Sequence, residues 1–391
     1  MVRITAFIFL LFSTFSIIGF FLPVYLQGKG FDSGQIGSIL AWGALASIFG
    51  QPFWGYVSDK RKTIKHVLQL LLISSLLLSI GLFSAGTFVL ILIFFAAFSY
   101  FNSAAGPLAE TLCISYAREN NKDYGRIRLW GEVGVGISAL LLGVIVGRVG
   151  IDSLWFIYAV SLCIAIAATL LVRDTKAASA PVNVSALGKV LAKPKLLWFL
   201  LLVLLIAIPH RMNDSMLAIY LIQMEASETE LGLAWLVGSL STVPALFFVG
   251  KVLKKWNELG ILLIAALIYT VRWAIYSQAD SPAVLIVSQL FHSLTFPLFF
   301  VASIQYLLNI VPAELRATGQ AAFAVTFGGL GGIIGSVAGG YAIDHFGPNT
   351  AYGAGSILSF IGAIAIAATY MANRRKSSGT ILKTAGKQAN I

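Results

Sequence analysis

The chain has 391 residues, of which 58% are hydrophobic and 11% charged, with mean hydropathy +0.87. A soluble globular domain carries about 25% charged and about 45–50% apolar residues, so no aqueous core accounts for this composition. The net charge of +11 invites a nucleic-acid partner, but the placement of the bases, given below, excludes one.

The apolar residues come in runs of roughly 18–28, each long enough to span a bilayer as a helix. Twelve runs fall near 5–27, 33–57, 66–84, 88–116, 125–148, 153–172, 196–223, 230–253, 259–277, 282–309, 317–343 and 350–371. The first is too long for a signal-peptide core and no small-residue cleavage pattern follows it, so it reads as a membrane helix. The chain is therefore read as an all-α membrane protein with the lipid bilayer as its first partner. If the N-terminus is cytoplasmic, only Lys29 and Arg148 of the 27 Lys and Arg fall on the outer side, while Arg126, Arg128, Arg211 and Arg272 fall at or within helices. By the positive-inside rule this predicts both termini in the cytoplasm of a multi-pass protein of the cytoplasmic membrane. The basic balance reports topology, not nucleic acid.

In the first run the aromatics Phe7, Phe9, Phe12 and Phe15 recur on more than one face, so lipid contact is expected to explain most of them and no ligand role is assigned. The second ends in a short basic turn, Gly55-Tyr56-Val57-Ser58-Asp59-Lys60-Arg61-Lys62. Topology explains the bases but not Asp59, a carboxylate able to accept from helix N-termini and basic side chains. This turn resembles the signature between helices 2 and 3 of the major facilitator superfamily. The resemblance implies a cytoplasmic gate at Gly55, Asp59, Lys60 and Arg61, with Asp59 as a conformational residue. The equivalent loop of the second half, Gly250 to Asn257, keeps the glycine and bases and lacks the acid.

The longest break, Arg173 to Lys195, is rich in Ala, Ser, Pro and Lys and divides the runs six and six. The expected organisation is a six-helix bundle over 1–172, a cytoplasmic linker over 173–195, a second bundle over 196–372 and a basic tail over 373–391. Two six-helix repeats are a recurring transporter plan. Gly143 and Gly147, and Gly328, Gly332, Gly335 and Gly339, recur at helical steps that let backbones approach closely in lipid. Cys113 and Cys163 lie in separate apolar helices and read as packing residues.

Ionisable residues at membrane depth are costly, about 2.5–3.5 kcal/mol each at the bilayer centre on insertion scales, and mark pairs or wet cavities. The fourth helix carries Glu110, the fifth Arg126, Arg128 and Glu132, and the seventh the cluster Pro209-His210-Arg211-Met212-Asn213-Asp214. The ninth carries Arg272 beside Trp273, and the tenth Gln289, His292 and Thr295. Each has a plainer role to set beside a functional one. Arg126 and Arg128 serve equally as helix-end anchors, Arg211 and Asp214 as a structural pair, and His292 as a packing histidine. Charge from both halves nonetheless suits a cavity between two bundles at the midplane.

The order of these residues resembles the lactose permease and phenylpropionate permease branch of the superfamily. That branch has an acid in helix 4 and an Arg eighteen residues on, matched by Glu110 and Arg128 within Gly125-Arg126-Ile127-Arg128-Leu129-Trp130-Gly131, and an Arg–His pair matched by Arg272 and His292. Two positions depart from it. Thr295 stands where the lactose permease has its proton-carrying glutamate, and Val135 where it stacks its sugar on a tryptophan.

The expected function is secondary transport: proton-coupled uptake of a small organic solute, first an aromatic or other small carboxylate, by alternating access. Guanidinium groups suit that choice because they bind carboxylate bidentately. A sugar or nucleoside symporter, a drug or metabolite exporter and a non-transporting receptor are the alternatives. The expected substrate-binding residues are Glu110, Arg128, Trp130, Arg211, Arg272, Gln289 and His292. Asp214, Glu132, His292 and Glu110 are the candidates to carry the proton. A monomer working on a small molecule and protons is expected, with no cofactor, metal or enzymatic centre.

Overall fold

Lipid offers backbone N–H and C=O groups no partners, so a spanning segment closes its own hydrogen bonds as a helix. A computed structural model describes residues 1–174, 192–253, 256–312 and 315–388, with side chains left aside at 246–253 and 375–388. The first six membrane helices are α1 (Val2–Gly28), α2 (Ser33–Arg61), α3 (Lys65–Ser84), α4 (Phe88–Glu119), α5 (Tyr124–Val149) and α6 (Ile151–Thr169). Then follow α7 (Pro194–Gln223), α8 (Glu228–Leu253), α9 (Glu258–Ser277) and α10 (Pro282–Ile310). The last apolar segment, Arg316–Arg374, is two helices. It turns at Gly347, whose φ of +79° favours glycine, and Pro348 starts the second. We name them α11 (316–346) and α12 (from 348). The twelve expected membrane helices are present, though most of the expected linker and Lys254 and Lys255 lie outside the described residues.

Local chemistry sets the ends and breaks. Asp32 and Gln35 form a capping box at the start of α2, and Asp123 accepts from Gly125 N at the start of α5. The sequence reading takes the fourth helix as continuous, but α4 breaks between Asn102 and Ala105. Pro107 lacks the N–H that the Ser103 carbonyl would accept, and its ring crowds that carbonyl. A π-turn over Val325–Leu330, which holds no proline, interrupts α11, and the Phe327 carbonyl there accepts from Arg211 Nε at 3.4 Å.

Small residues decide where the halves meet. A Cβ on Gly37 would strike the Ser336 carbonyl, and one on Gly340 the Ser33 carbonyl, so α2 and α11 touch backbone to backbone. Gly143 against Glu228 and Gly232 against Ala139 do the same for α5 and α8. Phe20 of α1 stacks on Trp235 of α8 with ring centroids 3.7 Å apart. All these contacts lie toward one end, which they seal. The α11 glycines sort by partner: Gly332 lies against Ala44 of α2, while Gly335 and Gly339 lie against α7 of their own bundle.

Among the described residues the opposite end is not joined this way. The stripe of α2 that meets α11, through Gly37, Ala44 and Ile48, continues on the same helical face to Gly55, where an added Cβ would find nothing within 4 Å. Among the described residues, α11 does not reach α2 at Gly55 as it does at Gly37. Lys60 and Arg61 are exposed, and among the described residues no side chain donates to Asp59.

Candidate functional site

In the N-terminal bundle, α4 and α5 bring Glu110, Arg128 and Glu132 together. Arg128 Nε lies 2.7 Å from Glu110 Oε1, and Arg128 Nη2 lies 3.0 Å from Glu132 Oε1 one turn along α5. The guanidinium also sits over the Phe12 ring, 4.6 Å from its centroid. Its Nη1 is buried without a partner among the described residues. Trp130 is not part of this group: two residues from Arg128 it points elsewhere, and it is 45% exposed. Arg126 is exposed near the helix start.

In the same bundle, α1, α2 and α4 line an open cavity of about 370 Å³ walled by Phe15, Gly19, Ser47, Phe98, Asn102 and Pro107. The α4 break supplies its polar edge, because Asn102 and Ser103 sit where the helix opens.

The C-terminal bundle builds two linked groups. On α7, Arg211 Nη1 lies 3.0 Å from Asp214 Oδ2, and His210 Nε2 lies 3.6 Å from the same oxygen. On α9, Arg272 is fully buried. Its partners are the Gln289 carboxamide oxygen at 2.5 Å, Tyr276 OH at 3.2 Å, His292 Nδ1 at 3.2 Å and Thr295 Oγ1 at 3.4 Å. The rings of Trp273 and Tyr276 flank it at 4.8 and 5.5 Å. No carboxylate among the described residues pairs with it, and Arg272 Nε and Gln289 Nε2 remain buried and unpartnered.

Two residues outside the expected site belong to it by contact. His210 stacks on Phe296 at 5.2 Å and 3° and on His292 at 5.9 Å and 10°, and its Nδ1 lies 3.2 Å from Tyr269 OH. Tyr276 holds Arg272 from one turn away, a spacing visible in sequence, as is the His210–Asp214 step; the ring contacts of His210 come from α9, α10 and α11 and have no local signal.

The family described as MFS_1 like matches residues 1–354. The chain belongs to this family of major facilitator transporters. Among the relatives of this transporter are the maltose permease of Geobacillus stearothermophilus, 26% identical over 95% of each chain, and the probable 3-phenylpropionic acid transporter of Escherichia coli, 28% identical over 81% of this chain and 86% of that one. The nucleoside transporter NupG superposes with a TM-score of 0.82 over 94% of this chain and 98% of its own, at 16% identity, which shows the shared fold. The transporter is thus a multi-pass membrane protein that moves a small molecule.

Proposed function

We propose that this transporter takes up a small organic carboxylate together with a proton, by alternating access. The observation that carries the reading is the charge left over in each bundle. In the N-terminal bundle Arg128 faces two carboxylates, Glu110 and Glu132, so one acid is in surplus. In the C-terminal bundle Arg211 is matched by Asp214, and Arg272 is a surplus base held by neutral groups. A lone buried charge is stable only if something compensates it. A substrate carboxylate at Arg272, and a proton on Glu110 or Glu132, bring both poles to neutrality at once. Loading either alone leaves one pole charged, and that is the physical basis for coupling.

In this scheme Arg272, Gln289 and His292 form the anion pole, and Glu110, Arg128 and Glu132 the proton pole. Thr295 bonds Arg272, so it supports the anion pole instead of replacing the missing glutamate. Arg211 and Asp214 balance one another beside the anion pole, and Asp214 is the second choice for the proton. The cavity beside Asn102 accommodates the uncharged part of the substrate. Trp130 has no role in it. With both termini in the cytoplasm, the sealed end is the outer one and the state described is inward-facing. The phenylpropionic acid relative supports the carboxylate.

A neutral sugar or nucleoside is the second reading, favoured by the maltose permease relative and by Glu110, which already satisfies Arg128. A thermal-shift screen of the purified protein with aromatic carboxylates, sugars and nucleosides separates the two. Stabilisation by carboxylates that is lost in Arg272→Gln supports the proposal, and stabilisation by sugars alone defeats it.

A further inference from the structure

Alternating access requires a contact that holds one orientation shut and then releases it. We propose that Asp344 is the latch of the outer end, acting on the N-terminus of α2; the inference rests on the alternating-access reading above. Asp344 lies near the end of α11, in the C-terminal bundle. Its Oδ1 accepts from Ser33 N at 2.9 Å and its Oδ2 from Gly34 N at 2.6 Å. These N–H groups belong to the first turn of α2, where helical donors have no partner within the helix and the dipole favours negative charge.

Asp32 already serves this turn locally, its carboxylate accepting from Gln35 N at 2.7 Å. Asp344 takes the two donors Asp32 leaves, so one helix end is capped by carboxylates from both bundles. The tie depends on glycine. Gly340, one turn before Asp344, lets α11 reach the Ser33 carbonyl, and a Cβ on Gly34 would stand 3.0 Å from Asp344 Oδ2. It is also reversible, because Asp344 is exposed and Gly34 is half-buried, so water reaches the pair from the Asp344 side. When the bundles part, water can take over both donors and the carboxylate, so the net cost of release is small.

The same two helices carry a carboxylate at the far end, and there it is idle. Among the described residues, α11 does not reach α2 at Gly55, one turn before Asp59, and no side chain donates to Asp59. Helix α2 is therefore held by an acid of α11 at its outer end while its own acid waits at the inner end. In this scheme the two ends are engaged in turn.

The test measures the outer gap directly. Spin labels are placed at Val149 and Asp280, exposed positions near the outer ends of opposite bundles, in a chain carrying Cys113→Ala and Cys163→Ala. Distance distributions are then recorded in lipid nanodiscs by double electron–electron resonance. Asp344→Ala is expected to raise the ratio of open to sealed outer ends about threefold to tenfold, the scale of a charge at a helix terminus. Asp344→Asn, which keeps the shape and one acceptor, is expected to fall between, at unchanged thermal stability. Gly340→Val wedges the seam apart and marks the open distance. If Gly340→Val opens the outer end while Asp344→Ala leaves the distribution unchanged, the latch is overturned. If no variant yields a second distance, alternating access itself fails, and the latch with it.

Discussion

Arg128 binds Glu110 through Nε at 2.7 Å and still keeps Nη1 buried and unpartnered. The guanidinium is thus held by two carboxylates, Glu110 at Nε and Glu132 one turn along α5 at Nη2, 3.0 Å away. Glu110→Gln is expected to leave the fold intact and to flatten the pH dependence of uptake, since the surplus acid is then gone. Arg128→Lys loses the planar fork that serves both acids at once. An uptake loss of about a hundredfold is expected there, roughly 2.7 kcal/mol in transport free energy at 1.36 kcal/mol per decade. Initial rates across external pH check both. A Glu110→Gln variant with an unchanged pH profile removes Glu110 from the proton pole.

Arg272 offers a sharper separation of stability from activity. It is completely buried, and among the described residues it bonds Gln289, Tyr276, His292 and Thr295 and no carboxylate. Exchanging a buried ion pair for packed apolar side chains is often neutral or stabilising by about 1–4 kcal/mol, and among the described residues Arg272 has no paired carboxylate to leave uncompensated. Arg272→Met is therefore expected to keep or raise thermal stability in detergent while abolishing carboxylate uptake. A variant that unfolds easily yet still transports contradicts the assignment.

The cavity in the N-terminal bundle can be filled without disturbing its walls. A Cβ on Gly19 meets nothing within 4 Å, whereas one on Gly143 strikes the Glu228 backbone. Gly19→Leu is expected to cut substrate affinity at least about tenfold at unchanged stability, because leucine is also about 1 kcal/mol better than glycine inside a helix. Gly143→Leu should instead disrupt the α5–α8 seam. Binding isotherms and melting curves on both variants check the contrast.

The sealed end carries one exposed ion pair, Lys29 Nζ to Asp152 Oδ1 at 2.8 Å. The Asp152 bond holds the Lys29 amine above its ordinary value. A raised amine contributes stability that is full below the unfolded value and is lost as pH rises through the folded one. The contribution is thus constant through neutral pH and disappears only in strong alkali. Being exposed, it is worth at most about 1 kcal/mol. Lys29→Met should shift the melting temperature little at neutral pH, and the small difference should vanish at high pH; a large neutral-pH loss would show that this pair, not the glycine seams, closes the end.

Much of this was legible in the chain because lipid makes local rules strict. Apolar runs gave the twelve helices, and the eighteen-residue step from Glu110 to Arg128 spans the α4–α5 turn, so its pairing follows from neighbouring helices. The step from Arg272 to His292 does the same across α9 and α10. Trp130, close to Arg128 in sequence, stands on another face of α5 and is 45% exposed, because residues two apart on a helix do not face each other. The α4 break left its signal in Pro107, and the π-turn of α11 left only a glycine pair. Contacts between the bundles were illegible. Asp344 is 310 residues from Gly34, and nothing local announces that they meet.

The central claim is that one carboxylate and one proton are loaded together. It is tested most directly by proteoliposomes holding the purified transporter, given radiolabelled 3-phenylpropionate and an imposed gradient, acid on the side of substrate entry. The account predicts accumulation against the substrate gradient that collapses with an uncoupler and is absent in Arg272→Gln. Accumulation that ignores the proton gradient, or maltose accumulating where the carboxylate does not, would contradict it.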